Sequence, residues 1–310
     1  MISYKKLFLM MEEKEITKEK LKNEIGISSA TMAKLSKNEE VSMSTIQSLC
    51  RFFDCQPGAI LSYEKEIDEN SVLFRLREEK DMKLKGGLYH QTQVRLAYNS
   101  NHMEGSRLTE DQTRSIYETQ TIGVTEGYEK IDDIIETVNH FRCFDYILSV
   151  ADKELSEDII KRIHLLLKSG TTDSQKEWFA VGDYKKRPNM IGDMVETTHP
   201  SKVASEMKQL LKNYRENSNI TFEDIIDFHY RLEKIHPFQD GNGRVGRLIM
   251  FKECLKYNIP PFIIEDVSKD YYRRGLKEYA QEKGYLTETC RAAQDTYKKL
   301  LEYFEYIVIN

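Results

Sequence analysis

Apolar residues recur at i, i+3 and i+4 in long runs, and that period commits most of the chain to helices that bury one face. Only six of its 310 residues are proline, and the strict alternation that marks half-buried strands is scarce. An all-α fold is therefore expected. The exception is "WFAVGDYKKRPNMIGDMVETTHP" (Trp178 to Pro200), where Gly182, Pro188, Gly192 and Pro200 separate short extended pieces. A loop carrying a β-hairpin is expected there. With 40% hydrophobic and 31% charged residues the chain can build a core, which excludes wholesale disorder. A net charge of −5 argues against a chain-wide nucleic-acid footprint, though not against a local one. No apolar run approaches the roughly 20 residues of a membrane span, and the start "MISYKKLFLMMEEKEI" lacks a signal-peptide cleavage site. Five cysteines without C-x-x-C spacing read as free thiols in a reducing compartment, so a cytoplasmic location is expected.

The clearest change of composition is the acidic run from Leu61 to Val72, which places a domain boundary near residue 67, dividing the chain into 1–66 and 67–310. Residues 1–66 contain five short helical periods. Thr17 is a plausible cap and Gly26 a stop for the second, Ser28 or Ser29 caps the third, and Pro57 opens the fifth at a first-turn position. Two helices joined by a short glycine-bearing turn have helix-turn-helix geometry.

The stretch that carries chemistry is "KIHPFQDGNGRVGRL", beginning at Lys234. An amphipathic period from Phe222 to Ile235 runs into it, and another helix is expected from near Arg244. Asp-Gly and Asn-Gly usually mark hairpin turns, but those need alternating strands on both sides, which are missing here. A glycine-flanked bend before a helix instead offers unpaired N–H groups, a positive dipole end and close backbone approach, which suits phosphate. Arg244 and Arg247, three apart, face one region, and two guanidiniums fit a polyphosphate better than a single carboxylate. Asp240 supplies a hard oxygen for Mg²⁺, and His236 can act as a base near neutral pH. Each residue alone has a dull explanation, but seven fixed positions in one loop arise by chance on the order of once in 10⁹ sites.

"HPFQDGNGRVGR" resembles, without mismatch, the Fic family signature H-x-F-x-(D/E)-G-N-G-R-x-x-R. The resemblance spans roughly residues 70–305 and implies a helical Fic core with a small β-hairpin flap. It implies transfer of a nucleotide monophosphate, usually AMP from ATP, to a Ser, Thr or Tyr hydroxyl of a protein. His236 would deprotonate that hydroxyl, Asp240 would bind Mg²⁺, and Gly241, Asn242 and Gly243 would form the anion hole. Arg244 would hold the β-phosphate region and Arg247 the γ-phosphate. The Lys186–Thr198 region falls where the family has its flap, which holds a target backbone as an added strand. Tyr271 and Tyr272 fall near where the family packs adenine, although either could be a core aromatic. Tyr184, beside the flap, is a candidate automodification site. The segment 1–66 resembles the Cro/C1 type of DNA-binding domain, which implies DNA contacts from Ser28, Ser29, Thr31 and Lys34. About ten basic and ten acidic side chains there give no net positive field, so dimerisation or docking stays open as its role.

A second match lies upstream. In "YNSNHMEGSRLT" (Tyr98 to Thr109), Ser100, Glu104 and Gly105 fit (S/T)-x-x-x-E-(G/N), the inhibitory motif of autoinhibited Fic proteins, in the subclass with an N-terminal inhibitory helix. Residues 88–104 read as one helix ended by a left-handed glycine cap at Gly105, and Ser100 and Glu104 share a face. A glutamate aimed at Arg247 would form a bidentate pair and occupy the γ-phosphate's place. The resulting expectation is an autoinhibited protein adenylyltransferase using ATP and Mg²⁺ on a protein target, with DNA and a homo-oligomer left open as partners. The alternatives are a nucleotide-sensing regulator or antitoxin-like binding protein, or a Fic enzyme that removes AMP or transfers another group.

Overall fold

A computed structural model describes residues 2–63, 71–123, 128–191 and 195–304. The chain divides into two compact units, 1–68 and 69–310; the boundary expected near residue 67 lies outside the described residues. Among those described there are fifteen α-helices and two two-residue strand pairs, and no helix is long and apolar enough to cross a membrane. All five cysteines are free, with Cys143, Cys254 and Cys290 buried.

The first unit packs helices α1 (Lys5–Glu13), α2 (Lys18–Ile25), α3 (Ser29–Ser36), α4 (Met43–Phe53) and α5 (Pro57–Ile60) around Leu7, Leu21, Leu35, Leu49 and Ile60. Local chemistry sets its boundaries. The Thr17 hydroxyl accepts from the Lys20 N–H to start α2, and Gly26 ends it at φ 69°, as a left-handed stop should. Ser28 accepts from the Thr31 N–H to start α3, and Pro57 occupies the first turn of α5. Strands β1 (Ile2–Ser3) and β2 (Ser62–Tyr63) pair antiparallel, Ile2 opposite Tyr63, a closure that periodicity did not reveal.

The second unit runs α6 (Val72–Asp81), α7 (Leu88–His102), α8 (Glu110–Thr119), α9 (Ile131–Ser149), α10 (Glu157–Lys168), β3 (Met190–Ile191), β4 (Val195–Glu196), α11 (Pro200–Glu216), α12 (Phe222–Ile235), α13 (Asn242–Lys256), α14 (Lys269–Glu278) and α15 (Gly284–Tyr303). Helix α13 is buried on nearly every side, from Asn242 to Leu255, and forms the axis of this unit. Strands β3 and β4 form the expected hairpin, Met190 opposite Glu196 and Ile191 opposite Val195.

Two helix limits differ from the sequence reading. Helix α13 begins at Asn242 instead of Arg244, because Gly241, at φ 82°, turns the chain directly into it. Helix α7 ends at His102, short of Glu104. Glu104 N–H and Gly105 N–H donate to the carbonyls of Asn101 and His102, tightening the exit, and Gly105 follows at φ 97°. Glu104 is thus carried on a turn rather than in the last helical turn.

Candidate active site

The bend expected to handle phosphate joins α12 to α13. A capping box between Thr221 and Asp224 starts α12, and His236 ends it in the left-handed region at φ 52° and ψ 62°, which non-glycine residues rarely adopt. His236 is mostly buried, its side chain 18% exposed. Burial, reinforced by the nearby Lys185 ammonium, pulls its imidazole down to about 4, so the ring is neutral around pH 7. Below it, the Asn242 side chain accepts from the Phe238 N–H at 2.8 Å and donates to the Phe238 carbonyl at 2.9 Å. That amide braces the bend from within. The first turn of α13 leaves its N–H groups without helical partners, and its N-cap, Gly241, has no side chain with which to cap them.

The two arginines diverge. Arg244, buried, binds Glu136 of α9 and Asp240, the latter at 3.2 Å. Lys168 of α10, also buried, reaches Glu136 at 2.5 Å, Asp173 at 3.2 Å and Asp240 at 2.7 Å. Burial would raise the Asp240 carboxyl, but Arg244 and Lys168 outweigh it and hold the group well below the ordinary carboxylate range. Its side chain remains 50% exposed. Among the described residues no group of three or more His, Cys, Asp or Glu side chains could hold a metal. One half-exposed, firmly ionised carboxylate does fit the way Mg²⁺ is held, by one or two carboxylates plus substrate phosphates.

Arg247 turns to the end of α7. Its Nη2 donates to Glu104 Oε1 at 2.6 Å and to the Ser100 carbonyl at 2.9 Å, and its Nε donates to Ser100 Oγ at 3.0 Å. The bidentate carboxylate pair expected from sequence is therefore not formed: Ser100 takes part of the guanidinium fork, leaving Glu104 one bond. Burial raises the Glu104 carboxyl, yet Arg247 and Arg244 outweigh it and keep it ionised. A Cβ added at Gly243 would collide with Glu104 Oε1, which puts the carboxylate at the N-terminus of α13, where a negative charge is favoured. The turn bearing Glu104 is clasped from behind. Asp266 N–H donates to Asn99 Oδ1 at 2.8 Å, His102 meets the Asp266 carboxylate at 3.0 Å, and Arg273 donates to the Met103 carbonyl at 2.9 Å.

The hairpin is anchored to the same bend. Asn189 donates to the carbonyls of Phe238 and Gln239 at 3.1 and 3.3 Å, and the Lys185 N–H donates to the Pro237 carbonyl at 2.8 Å. Lys185 Nζ, buried, donates to Asn189 Oδ1 and Thr197 Oγ1, and burial lowers it to about 8. Residues 192–194 of the expected flap lie outside the described residues.

Two tyrosine expectations are narrowed. Tyr272 is 2% exposed and bonds His229 Nε2 at 2.5 Å, so it belongs to the core and has no face to offer a base. Tyr271 is 69% exposed. The Tyr184 hydroxyl is buried, which withdraws it as an acceptor in this conformation. In the first unit Ser28, Ser29 and Lys34 are exposed and Thr31 is half-buried; Ser28 and Thr31 bond each other, and Ser29 accepts from Lys22 Nζ at 2.9 Å. Sequence reading missed Glu136, Lys168, Lys185 and Glu233. None has a motif; Glu136, Lys168 and Lys185 draw their meaning from partners that only folding supplies, whereas Glu233, three residues before His236, was open to helical spacing.

Comparison with known proteins agrees with this geometry. Residues 154–254 match the Fic/DOC family, and residues 6–66 the Cro/C1-type HTH DNA-binding domain. The chain is 27% identical over 188 residues to "Protein adenylyltransferase Fic" of Drosophila mojavensis, covering 58% of this chain and 35% of that one. It is 25% identical over 190 residues to "Protein adenylyltransferase fic-1" of Caenorhabditis elegans, covering 60% and 36%. The chain thus spans little more than a third of the length of these curated relatives. Among solved structures, a Fic domain containing signaling protein from Bacteroides thetaiotaomicron superposes with a TM-score of 0.56 at 24% identity, covering 74% of this chain and 90% of that one. Fic-1 of C. elegans (residues 134–508) gives 0.58 at 20% identity, covering 76% and 71%; both likenesses concern the fold. A bend that caps one buried helix, two arginines committed on either side of it and the matched segments agree: the chain carries a Fic/DOC family domain behind a Cro/C1-type helix-turn-helix domain.

Proposed function

We propose that the protein is an autoinhibited adenylyltransferase that moves AMP from ATP to a hydroxyl of a protein, with His236 as base and Glu104 as the brake. The observation that carries this reading is the Glu104 carboxylate bonded to Arg247 and lying against Gly243, an anion occupying an anion site. In the transfer step His236 takes the hydroxyl proton while that oxygen attacks the α-phosphorus in line. The bond to the β-phosphate oxygen breaks, and pyrophosphate leaves. Gly241, Asn242 and Gly243 would offer backbone N–H groups to the phosphates, and Arg244 and Arg247 would hold the β- and γ-phosphates, so positioning and fixed charge supply most of the rate. Asp240 would hold Mg²⁺, which when bound offsets phosphate charge. Tyr271 is the ring left to face adenine, and the hairpin is the edge for a target strand. Ser28, Ser29, Thr31 and Lys34 remain the face offered to DNA by the first unit.

The test is AMP incorporation from labelled ATP into a lysate, with adduct masses read out. Glu104→Gly removes a competing charge-assisted bond of about 1.5–3 kcal/mol, so transfer should rise roughly 10- to 100-fold. Adding His236→Ala should lower it again by roughly 10²- to 10⁴-fold. Equal transfer by wild type and Glu104→Gly rejects the brake, and adducts of another mass reject AMP.

A further inference from the structure

Glu233 lies one helical turn before His236, on α12, and no part of the mechanism above uses it. Its side chain is 13% exposed, and Oε2 lies 3.9 Å from His236 Nδ1. Glu233 Oε1 and His236 Nδ1 are buried atoms that make no close hydrogen bond, and although the Glu233 backbone carbonyl also favours a proton on the His236 ring, buried groups left this loosely paired call for an explanation. The room for the carboxyl comes from Gly246, where a Cβ would lie 2.5 Å from His229 Nδ1 and 3.2 Å from Glu233 Oε1. The groups facing Glu233 are His229 on its own helix, His236 beyond its end, Arg247 on α13, Glu104 on the turn after α7, and Tyr272 on α14. An imidazole acting as a base through Nε2 must carry its proton on Nδ1, and the partner of Nδ1 selects that tautomer.

We propose that Glu233 is a positioning residue for transfer: its carboxylate accepts the Nδ1–H of His236 and so leaves the Nε2 lone pair free to take the target hydroxyl's proton. An approach of about 1 Å closes the present gap to a hydrogen bond, and such catalytic bonds commonly tighten when substrate binds. When Glu233 is protonated it can instead donate to Nδ1, which puts the ring proton on Nε2 and silences the base. Burial, with Glu104 adding repulsion, raises this carboxyl to about 7, whereas His236 itself stays neutral down to about 4. Activity should accordingly rise with pH through the ionisation of Glu233, not of His236. Removing Glu104 takes away one of the groups that raise Glu233, so in Glu104→Gly this limb lies at or somewhat below pH 7.

The inference rests on reading His236 as the base, and its test uses the full chain. In the Glu104→Gly background, Glu233→Ala should lower kcat roughly 10- to 100-fold, the usual effect of losing a group that orients an active residue, with KM for ATP unchanged within about twofold. Glu233→Gln keeps an acceptor for Nδ1–H, so it should hold kcat within about tenfold while the limb near pH 7 disappears. Nitrogen NMR of the His236 ring should show the Nδ1–H tautomer above the limb in the parent and its loss in Glu233→Ala. An unchanged pH profile together with an unchanged tautomer overturns the proposal. Should Glu104→Gly transfer no AMP, the functional reading fails, while the NMR titration still decides the role of Glu233. Should Glu233→Ala fail to fold, Glu233→Gln carries the decision.

Discussion

The two units bury different things. Among the described residues, the only buried polar side chains of the first are Ser3 and Thr45, and every charged group lies at or near the surface. The second buries Lys168, Lys185, Arg244 and Arg247 together with His140, His164 and His229. Taking a charge out of water costs several kcal/mol per ion unless partners offset it, so a fold without a task for such groups leaves them outside. Burial of charge alone is not the signature: Lys252 and Glu253 are fully buried yet pair with each other at 2.6 Å. At the bend, by contrast, charges converge from the turn after α7 and from α9, α10 and α13 onto a half-exposed carboxylate and a helix N-terminus. Convergence from several elements marks the site even without its motif.

The contrast can be broken most severely at Lys168. Replacing it with Met leaves Glu136 and Asp240 with Arg244 as their one remaining shared cation, and unfolding in urea should show a loss of about 3 kcal/mol, the low end for a buried group losing its partner because Asp240 is half exposed. A change below about 1 kcal/mol would mean that Arg244 alone suffices and that the convergence is not structural. A smaller effect is expected at Gly246. An alanine Cβ there meets a His229 ring pinned by Tyr272, so Gly246→Ala should cost about 1–3 kcal/mol by overpacking, read in the same unfolding curves. The smallest belongs to the first unit. Ser28→Ala removes the cap of α3 and should weaken protection of the Leu35 amide in hydrogen exchange by about 1 kcal/mol. Lys34→Ala, on the exposed face, should stay within about 0.5 kcal/mol; if it also leaves a salt-dependent gel shift unaltered, the face does not contact DNA.

What could be read from the sequence was what the chain decides locally. Helix spans, the Thr17 and Gly26 limits of α2, Pro57 at the start of α5 and the hairpin all follow from neighbours a few residues away. The bend was legible because its residues are contiguous. Glu136 and Arg244 are 108 positions apart and Lys168 and Asp240 are 72 apart, so no window of sequence joins them. Tyr271 and Tyr272 are adjacent on α14, where successive side chains point about 100° apart; one had to face inward, and only packing against His229 decided which. The early end of α7 escaped notice for a similar reason. The turn after it is held by Asp266 and Arg273, far along the chain.

One consequence follows from the backbone at His236. Left-handed conformation costs a residue with a Cβ about 1–2 kcal/mol relative to the right-handed one, and helices usually place glycine at such a stop. This chain keeps an imidazole there. A drift toward glycine at that position would relax the peptide and leave a sturdier, inert molecule, so mechanical ease and chemical competence pull on the same residue in opposite directions.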